Sequence, residues 1–588
     1  MALTADQLAD QRKQAEELLF SGPEKLGFAK ALFFGYFTAP LIFPYPEIKP
    51  EERAKVEQMT AEVRQYVDEH LDAMAIDQNA EIPQHNVEGL GRVGVLGATA
   101  PPEFGGRGLS QLANTKIMEI IGGHCSSTAV FVNAHHSIGI RSLIMFGTEA
   151  QKQRWLPDLV SGKKLAAFAL TETEAGSDAA NVQTSATLAS DGKTWILNGS
   201  KRYITNGGIA GVLTVMARTP MPGSTETKVT AFLVTPDMPG FKVLEARMPK
   251  CGIRGTATAK LAFENMPVPA ENIVGQLGKG LRLALTMLDF GRTTFGASCT
   301  GAAKTILRET RKYARERVQF KQKLGDFELV KKKIAYMAAH VFAMEATTTQ
   351  CAAFIDRDIA DYMLETAMLK VWSTEALWIM VNDMIQIYGG KGYFSDQPYE
   401  RMMRDARINQ IGEGANDVLR SFITVVGIKP VADQLLNVKN ALTNPLKDFG
   451  KLFDFGRKQI GDLFTSPDVP VQHASLKAPA AALGKRLHEF GRTVQSLLIK
   501  YREAFIERQY HHERISDAAC EIYASSCVLS RLDHLLAHGN GHAQELERDI
   551  AAGRYYLKLS DRRIRQCFAA LHENDDAETT AVADLYLK

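Results

Sequence analysis

Apolar residues recur at three- and four-residue spacing from about 51 to 165, with breaks around 99–107 and 146–152, so this stretch predicts an all-helical region. Between about 166 and 275 the pattern shortens to β-rich runs, TWIL, GVLTVMA, VTAFLV and KLAF, separated by Gly, Pro and Asn. A compact β domain follows from that change of period. Asn198 and Gly199, between TWIL and SKRYIT, have the chemistry of a two-residue hairpin turn and predict one there. Helical spacing returns from about 276 to 430; one long segment, AMLKVWSTEALWIMVNDMIQIY, should stop at Gly389 and Gly390. Long helices with apolar stripes imply a bundle. A Pro-containing, Lys-rich link at about 428–445 leads to a further helical region that runs to 588. The most apolar early stretch, 28–46, carries Lys30, Gly35 and Pro40 and is too broken for a membrane span of roughly 20 apolar residues. It reads as docked on the surface.

Length and charge narrow the picture. The 588 residues exceed the ~250–300 at which single cores stop growing, so three to five domains are expected. The 69 basic and 67 acidic residues leave a net charge of +2, which gives no global electrostatic case for nucleic acid or an acidic membrane. Seven scattered cysteines without a CxxC suggest neither a disulfide framework nor a zinc site, and fit a reducing compartment. His135–His136 and His511–His512 are adjacent pairs that point to different helical faces, so no metal is expected. The N-terminal sequence lacks the marks of a signal or transit peptide. A bacterial cytoplasm is expected, or the mitochondrial matrix for a processed chain.

Candidate chemistry gathers in a few places. In the stretch 167–184 Gly176 lets backbone approach closely, while Thr171, Ser177 and Asp178 put hydroxyls and a carboxylate on one short loop. Such a loop could grip a polar ring or a phosphate, and an ordinary capped turn has the same composition. Asp289 and Arg292 lie three apart on one helical face, which by itself reads as a solvated ion pair. Glu413 stands between Gly412 and Gly414, so a carboxylate can be presented from a turn without bulky neighbours.

With KRYITNGG (201–208), the 250–275 segment, LDFGR (288–292), RERVQF (315–320) and the 385–417 segment ending IGEGAND, these pieces form an ordered set. The set resembles the acyl-CoA dehydrogenase family over roughly 60–430. FPYPE near the N-terminus and the extra C-terminal region make it most similar to the very-long-chain branch. The resemblance implies an α+β multidomain fold: an N-terminal extension (1–50), an α-helical domain (51–165), a middle β-barrel-like domain (166–275), a four-helix bundle (276–430) and a C-terminal helical extension (431–588). It implies a homodimer with FAD as cofactor, an acyl-CoA substrate and an electron-transfer flavoprotein as acceptor. Phe168, Leu170, Thr171, Gly176, Ser177, Tyr203 and Thr205 match flavin-side contacts. Arg317, Phe320, Gln386 and Gly390 match further cofactor contacts, Arg317 meeting the pyrophosphate across the dimer, and Ala415 and Asp417 complete that set. Ser177, Asp289, Arg292, Gly412 and Gly414 match the substrate side. Glu413 matches the catalytic base that takes the α-proton while a hydride passes from the β-carbon to flavin N5.

Four departures from the family pattern stand out. Gly412 replaces an aromatic residue that lines the acyl pocket, which implies a wider pocket suited to long or bulky chains. Tyr203 stands where Trp is usual, Ala415 where Thr is usual, and Asn181 where a small residue is usual. Beyond the matched core, Leu446, Phe449, Phe453, Ile460, Leu463 and Phe464 form an apolar stripe with basic residues on other faces. That stripe, at 446–464, suits either peripheral membrane contact or packing within a dimer. Two alternatives keep the fold: an acyl-CoA oxidase that passes electrons to oxygen, and a member acting mainly as an assembly factor for a membrane complex. Peroxide formation would mark the first and membrane pull-down the second.

Overall fold

The computed structural model describes residues 26–443, 466–539 and 543–588. The stripe at 446–464 lies outside them. The described chain divides into two compact units, one made of Glu47–Ile334 and Ser373–Ala415, the other of 26–46, Ala335–Trp372 and Asn416–Lys588.

In the first unit, helices Pro50–His70, Ala73–Asn79, Gln84–Arg92 and Gln111–His124 share a core that includes Val63, Leu90, Leu96, Ile117 and Phe131. The break near 146 is made by Gly147 and by Thr148, whose side chain and that of Gln151 cap the next helix reciprocally. Helix Gly280–Glu316 packs against Gln111–His124 at a distance only glycine permits. A Cβ on Gly122 would stand 2.6 Å from the Ser298 Cα, and one on Gly301 would stand 1.9 Å from the Glu119 carbonyl oxygen. The tight crossing fixes the long helix that carries Asp289 and Arg292.

Eight strands build the β part: β1 (Ala166–Ala169), β2 (Ser185–Leu188), β3 (Thr194–Ile204), β4 (Val212–Pro220), β5 (Thr227–Val234), β6 (Phe241–Glu245), β7 (Ala259–Pro269) and β8 (Ile273–Val274). They pair in the order β6-β7-β3-β2-β4-β5-β8, with β1 joined in parallel to β4. This path is open, with β6 and β8 at its ends, so the sheet is not a closed barrel. One apolar face, with Trp195, Leu197, Val215, Phe232 and Phe263, forms its core.

The hairpin expected at Asn198–Gly199 is not there. β3 runs straight through these residues, and the register against β7 slips between Leu197 and Gly199, which is a bulge. Gly199 is needed because a Cβ would fall 2.5 Å from the Thr184 hydroxyl oxygen, and the Asn198 side chain accepts a hydrogen bond from the Asn265 amide at 2.8 Å. The turn lies earlier, where the Asp191 carboxylate accepts from the amides of Lys193 and Thr194 and Gly192 takes φ 67°.

The second unit is helical. Its Asn416–Thr443 helix continues through Pro430, so the link expected from about 428 is a helix for most of its length. The stretch at 28–46 also differs from expectation. Phe28, Ala29, Leu32 and Phe33 are fully buried, and the amides of Gly27 and Ala29 donate to the carboxylates of Asp361 (3.0 Å) and Glu365 (2.8 Å). Lys30 pairs with Asp361 at 3.1 Å. The first part of the segment that looked surface-docked, 28–33, is core, because its one charge has a buried partner that sequence spacing cannot reveal. Among the described residues no helix is long and apolar enough to cross a membrane.

Candidate active site

Asp289, Gly291 and Arg292 sit on the buried side of the Gly280–Glu316 helix, so the pair whose spacing alone reads as a solvated ion pair is enclosed. Arg292 Nη1 stands 3.4 Å from Asp289 Oδ1, and Nε donates to the Glu413 carbonyl oxygen at 3.2 Å. Burial pushes the Arg292 guanidinium below its usual range, while the carboxylates of Asp289 and Glu413 pull it back up. Arg292 thus ties the long helix to the backbone of the loop that carries Glu413.

Glu413 itself adopts φ 58°, and Gly414 follows at φ 97°. A left-handed glutamate is uncommon and is held only where its surroundings over-determine it. Its Oε2 lies 3.2 Å from the point where a Cβ on Gly291 would stand, with Ile138 Cδ1 3.0 Å from that same point. The carboxylate is seated over a bare Cα. Facing the same helix is a π-helical stretch, Asn133–Ile140, a form often found at functional sites. Asn133 Nδ2 donates to the Gly291 carbonyl at 3.4 Å, its Oδ1 is buried without a hydrogen-bond partner, and Ser137 and Thr294 share a 2.8 Å hydroxyl contact. A methyl group at 291 should therefore push the carboxylate aside. Gly291→Ala is expected to lower any turnover that uses this carboxylate about tenfold or more, since small displacements of a reacting group carry large rate penalties, with the melting temperature nearly unchanged. Steady-state kinetics beside a thermal melt checks this.

The loop after β1 is fixed from beneath. Lys201, wholly buried, donates to the Leu170 carbonyl at 3.0 Å and pairs with Glu172 at 2.6 Å. Glu172 also accepts from the amides of Gln183 (2.6 Å) and Thr184 (3.1 Å), and the Arg202 amide donates to the Thr171 carbonyl at 2.9 Å. Burial pushes the Lys201 ammonium down to about 8 against the pull of Glu172. Burial also raises the Glu172 carboxyl, but Lys201 and the converging donors outweigh it and hold the group below its usual value. Above this anchor Phe168 and Leu170 are half-buried, and Gly176 and Ser177 are exposed. Tyr203, at φ 62°, is 57% exposed with the Arg202 guanidinium 4.8 Å from its ring centre, and Thr205 is half-buried.

The remaining expected residues lie elsewhere. Arg317 is exposed at the end of its helix, and Phe320 is 90% exposed at the tip of the hairpin formed by β9 (Val318–Gln319) and β10 (Gln322–Lys323). Gln386 and Gly390 are exposed where helix Met363–Tyr388 ends, with Gly389 at φ 61° as its stop. Ala415 is half-buried, and Asp417 belongs to the second unit, 3.7 Å from Arg420. A Cβ on Gly412 would meet only the Ile408 carbonyl oxygen, at 3.6 Å.

The structure therefore joins Asp289, Arg292 and Glu413, sets Leu170 and Thr171 beside Tyr203 through the Lys201 anchor, and leaves Arg317, Phe320, Gln386 and Gly390 on exposed surface. Gly291, Asn133, Glu172 and Lys201 escaped the sequence reading. LDFGR and KRYITNGG contain two of them, but nothing in those strings marks a seat or an anchor. His135 and His136 are structural. His135 accepts from the Ala166 amide (3.0 Å) and faces the Leu159 carbonyl (3.1 Å), and His136 accepts from the Thr99 amide (3.1 Å).

Four family models match. Residues 53–163, 167–266 and 278–426 fit the acyl-CoA dehydrogenase N-terminal, middle and C-terminal domains, and 474–584 fit the ACAD9/ACADV C-terminal domain. The very long-chain specific acyl-CoA dehydrogenase, mitochondrial, of Macaca fascicularis is 34% identical over 94% of this chain and 85% of its own length. The chain belongs to the acyl-CoA dehydrogenase family. The C-terminal match sets this acyl-CoA dehydrogenase in the branch with the extra helical domain. The probable acyl-CoA dehydrogenase FadE10 of Mycobacterium tuberculosis is 31% identical over 97% of the chain and 90% of its own length. Among solved structures, an acyl-CoA dehydrogenase complexed with FAD from Bacillus anthracis superposes with a TM-score of 0.79 at 26% identity, covering 95% of this chain and 94% of that one.

Proposed function

We propose that this acyl-CoA dehydrogenase converts a long-chain fatty acyl-CoA to its trans-2-enoyl-CoA, with Glu413 taking the α-proton. The observation that carries the reading is the seat of Glu413, a left-handed carboxylate over bare Gly291 with its own carbonyl held by buried Arg292. A thioester α-proton is weakly acidic, so the base must be placed before the substrate arrives. A rigid backbone and a clear approach serve that end. As the α-proton passes to Glu413, the β-hydrogen departs with its electron pair and the α,β double bond closes.

The residues present fit FAD as acceptor of that hydride. Open space stands where a Cβ on Gly176 would lie, beside a loop pinned by Lys201, and the exposed Tyr203 ring offers a flat surface to a planar ligand. Phe168, Leu170, Thr171, Ser177 and Thr205 would hold it there. When bound, FAD supplies the two-electron sink that the protein's own side chains lack. Exposed Arg317, with Phe320, Gln386 and Gly390, suits the cofactor phosphates of a second copy, which is the homodimer reading; Arg offers a planar fork for phosphate oxygens. An electron-transfer flavoprotein would take on those electrons. Anaerobic mixing of FAD-loaded protein with saturated acyl-CoAs of four to twenty carbons tests the assignment. Flavin bleaching is expected with long chains, and its absence with every thioester would remove the reading.

Gly412 sets the expected chain preference. Because a Cβ fits there, Gly412→Phe should fold, fill part of the acyl pocket and lower kcat/KM for long-chain substrates about tenfold relative to short ones. A wild-type profile that peaks at short linear thioesters would contradict the wide pocket.

A further inference from the structure

The first unit holds a cavity of about 210 Å³ that the chemistry above does not use. It lies among the end of helix Gln111–His124, the middle of Gly280–Glu316, Leu377 and the helix Tyr399–Arg407. Ile306, Leu377, Pro398 and Met402 give it apolar walls, and Arg401 and Asn409 bring polar groups to it.

One buried guanidinium at this pocket has donors to spare. Arg308 and Glu309 also line the cavity, but they pair with each other at 2.9 Å. His124 is engaged by the Leu71 carbonyl at 2.6 Å. Arg401 is different. It is only 5% exposed, its Nε is buried without a hydrogen-bond partner, and the Asp405 carboxylate stands 3.6 Å from Nη1, beyond hydrogen-bonding distance. Asp405 has already given Oδ1 to the Ile253 amide at 2.6 Å. A buried guanidinium with unused donors is costly unless something accepts from it, and a planar carboxylate matches its fork. Asn409 adds a second donor whose present partner is only the Cys299 sulfur at 3.6 Å, a weak acceptor. The space is partly open and large enough to admit a short aliphatic chain.

We propose that this cavity binds a small aliphatic carboxylate, its charged end on Arg401 and its chain against Ile306, Leu377 and Met402. The site is separate from the seat of Glu413, although Asn409 leads in sequence into the 411–415 segment.

The test is calorimetric titration of the FAD-loaded protein with pentanoate and with its neutral isostere pentanamide. Pentanoate is expected to bind at least about tenfold more tightly, because only it forms charge-assisted hydrogen bonds. Ala302→Phe, which fills the cavity from its wall, should abolish binding, while Glu413→Gln should leave it unchanged. Equal affinity for acid and amide, no heat with pentanoate, retained affinity in Ala302→Phe, or loss in Glu413→Gln would each overturn the proposal. Should Ala302→Phe not fold, a crystal of the wild-type holoenzyme soaked in pentanoate decides. Carboxylate density on Arg401 supports the site, and an empty cavity refutes it.

Discussion

Glu413→Gln is expected to leave a folded, FAD-loaded protein whose flavin is bleached by long-chain acyl-CoA about 10³-fold more slowly than in the wild type. The substitution keeps the volume of the side chain, so its seat over Gly291 and the Arg292 bond to its carbonyl survive. Arg292 also keeps Asp289 as its ion-pair partner. What goes is the only property the chemistry needs, a group that can accept a proton. Substrate affinity should change little, because glutamine keeps the volume and polarity of the side chain and removes only its ability to take a proton. The loss should therefore appear in the rate of reduction, measured by anaerobic stopped flow, and not in the concentration at half-saturation. Bleaching at wild-type speed in the variant would remove Glu413 from the mechanism while leaving the fold and the family intact.

That Glu413 could be singled out at all depended on its flanking glycines and on the ordered motifs around it. Its placement could not be read in the same way. Gly291 lies 122 positions earlier in the chain, and only the packed helix brings its bare Cα under the carboxylate. The Asp289–Arg292 pair shows the same limit. Three-residue spacing correctly put both on one helical face, but whether that face meets water or protein is decided by what packs on it. Here it is buried, and Arg292 of the pair donates to the Glu413 carbonyl. Local signals failed where a local rule had a tertiary competitor. Asn198–Gly199 has ideal hairpin chemistry, yet pairing with β7 on one side and close approach of Thr184 on the other make it a bulge within one strand. Periodicity succeeded where it ran long, in the helices and in the shift to short β runs, because many residues vote there and one exception does not alter the period.

The second large effect is a loss of stability between mildly acidic and mildly alkaline pH, centred on Glu365. This carboxyl is 2% exposed and accepts from the Ala29 amide at 2.8 Å. Burial, with the neighbouring Asp361 carboxylate adding to it, pushes Glu365 up to about 8, and the Ala29 amide and Lys30 oppose the shift only in part. The folded chain therefore keeps a proton on Glu365 up to about pH 8, whereas the unfolded chain releases it near the ordinary carboxylate value of about 4.3. Between those limits the folded state binds more protons than the unfolded one, so stability falls as pH rises. Its contribution is complete below the unfolded value and lost as pH passes through the folded one. A separation of this size corresponds to about 5 kcal/mol at full amplitude. Glu365→Gln keeps an acceptor for the Ala29 amide and has nothing to titrate, so its melting temperature should vary less between pH 5 and pH 9 than that of the wild type. The variant should gain most at the alkaline end, where the wild type must bury a charge beside Asp361. Parallel pH profiles for the two proteins would place Glu365 outside the titrating set, and the pinning of the 26–46 segment would then rest on the Lys30–Asp361 pair and on its buried apolar residues alone.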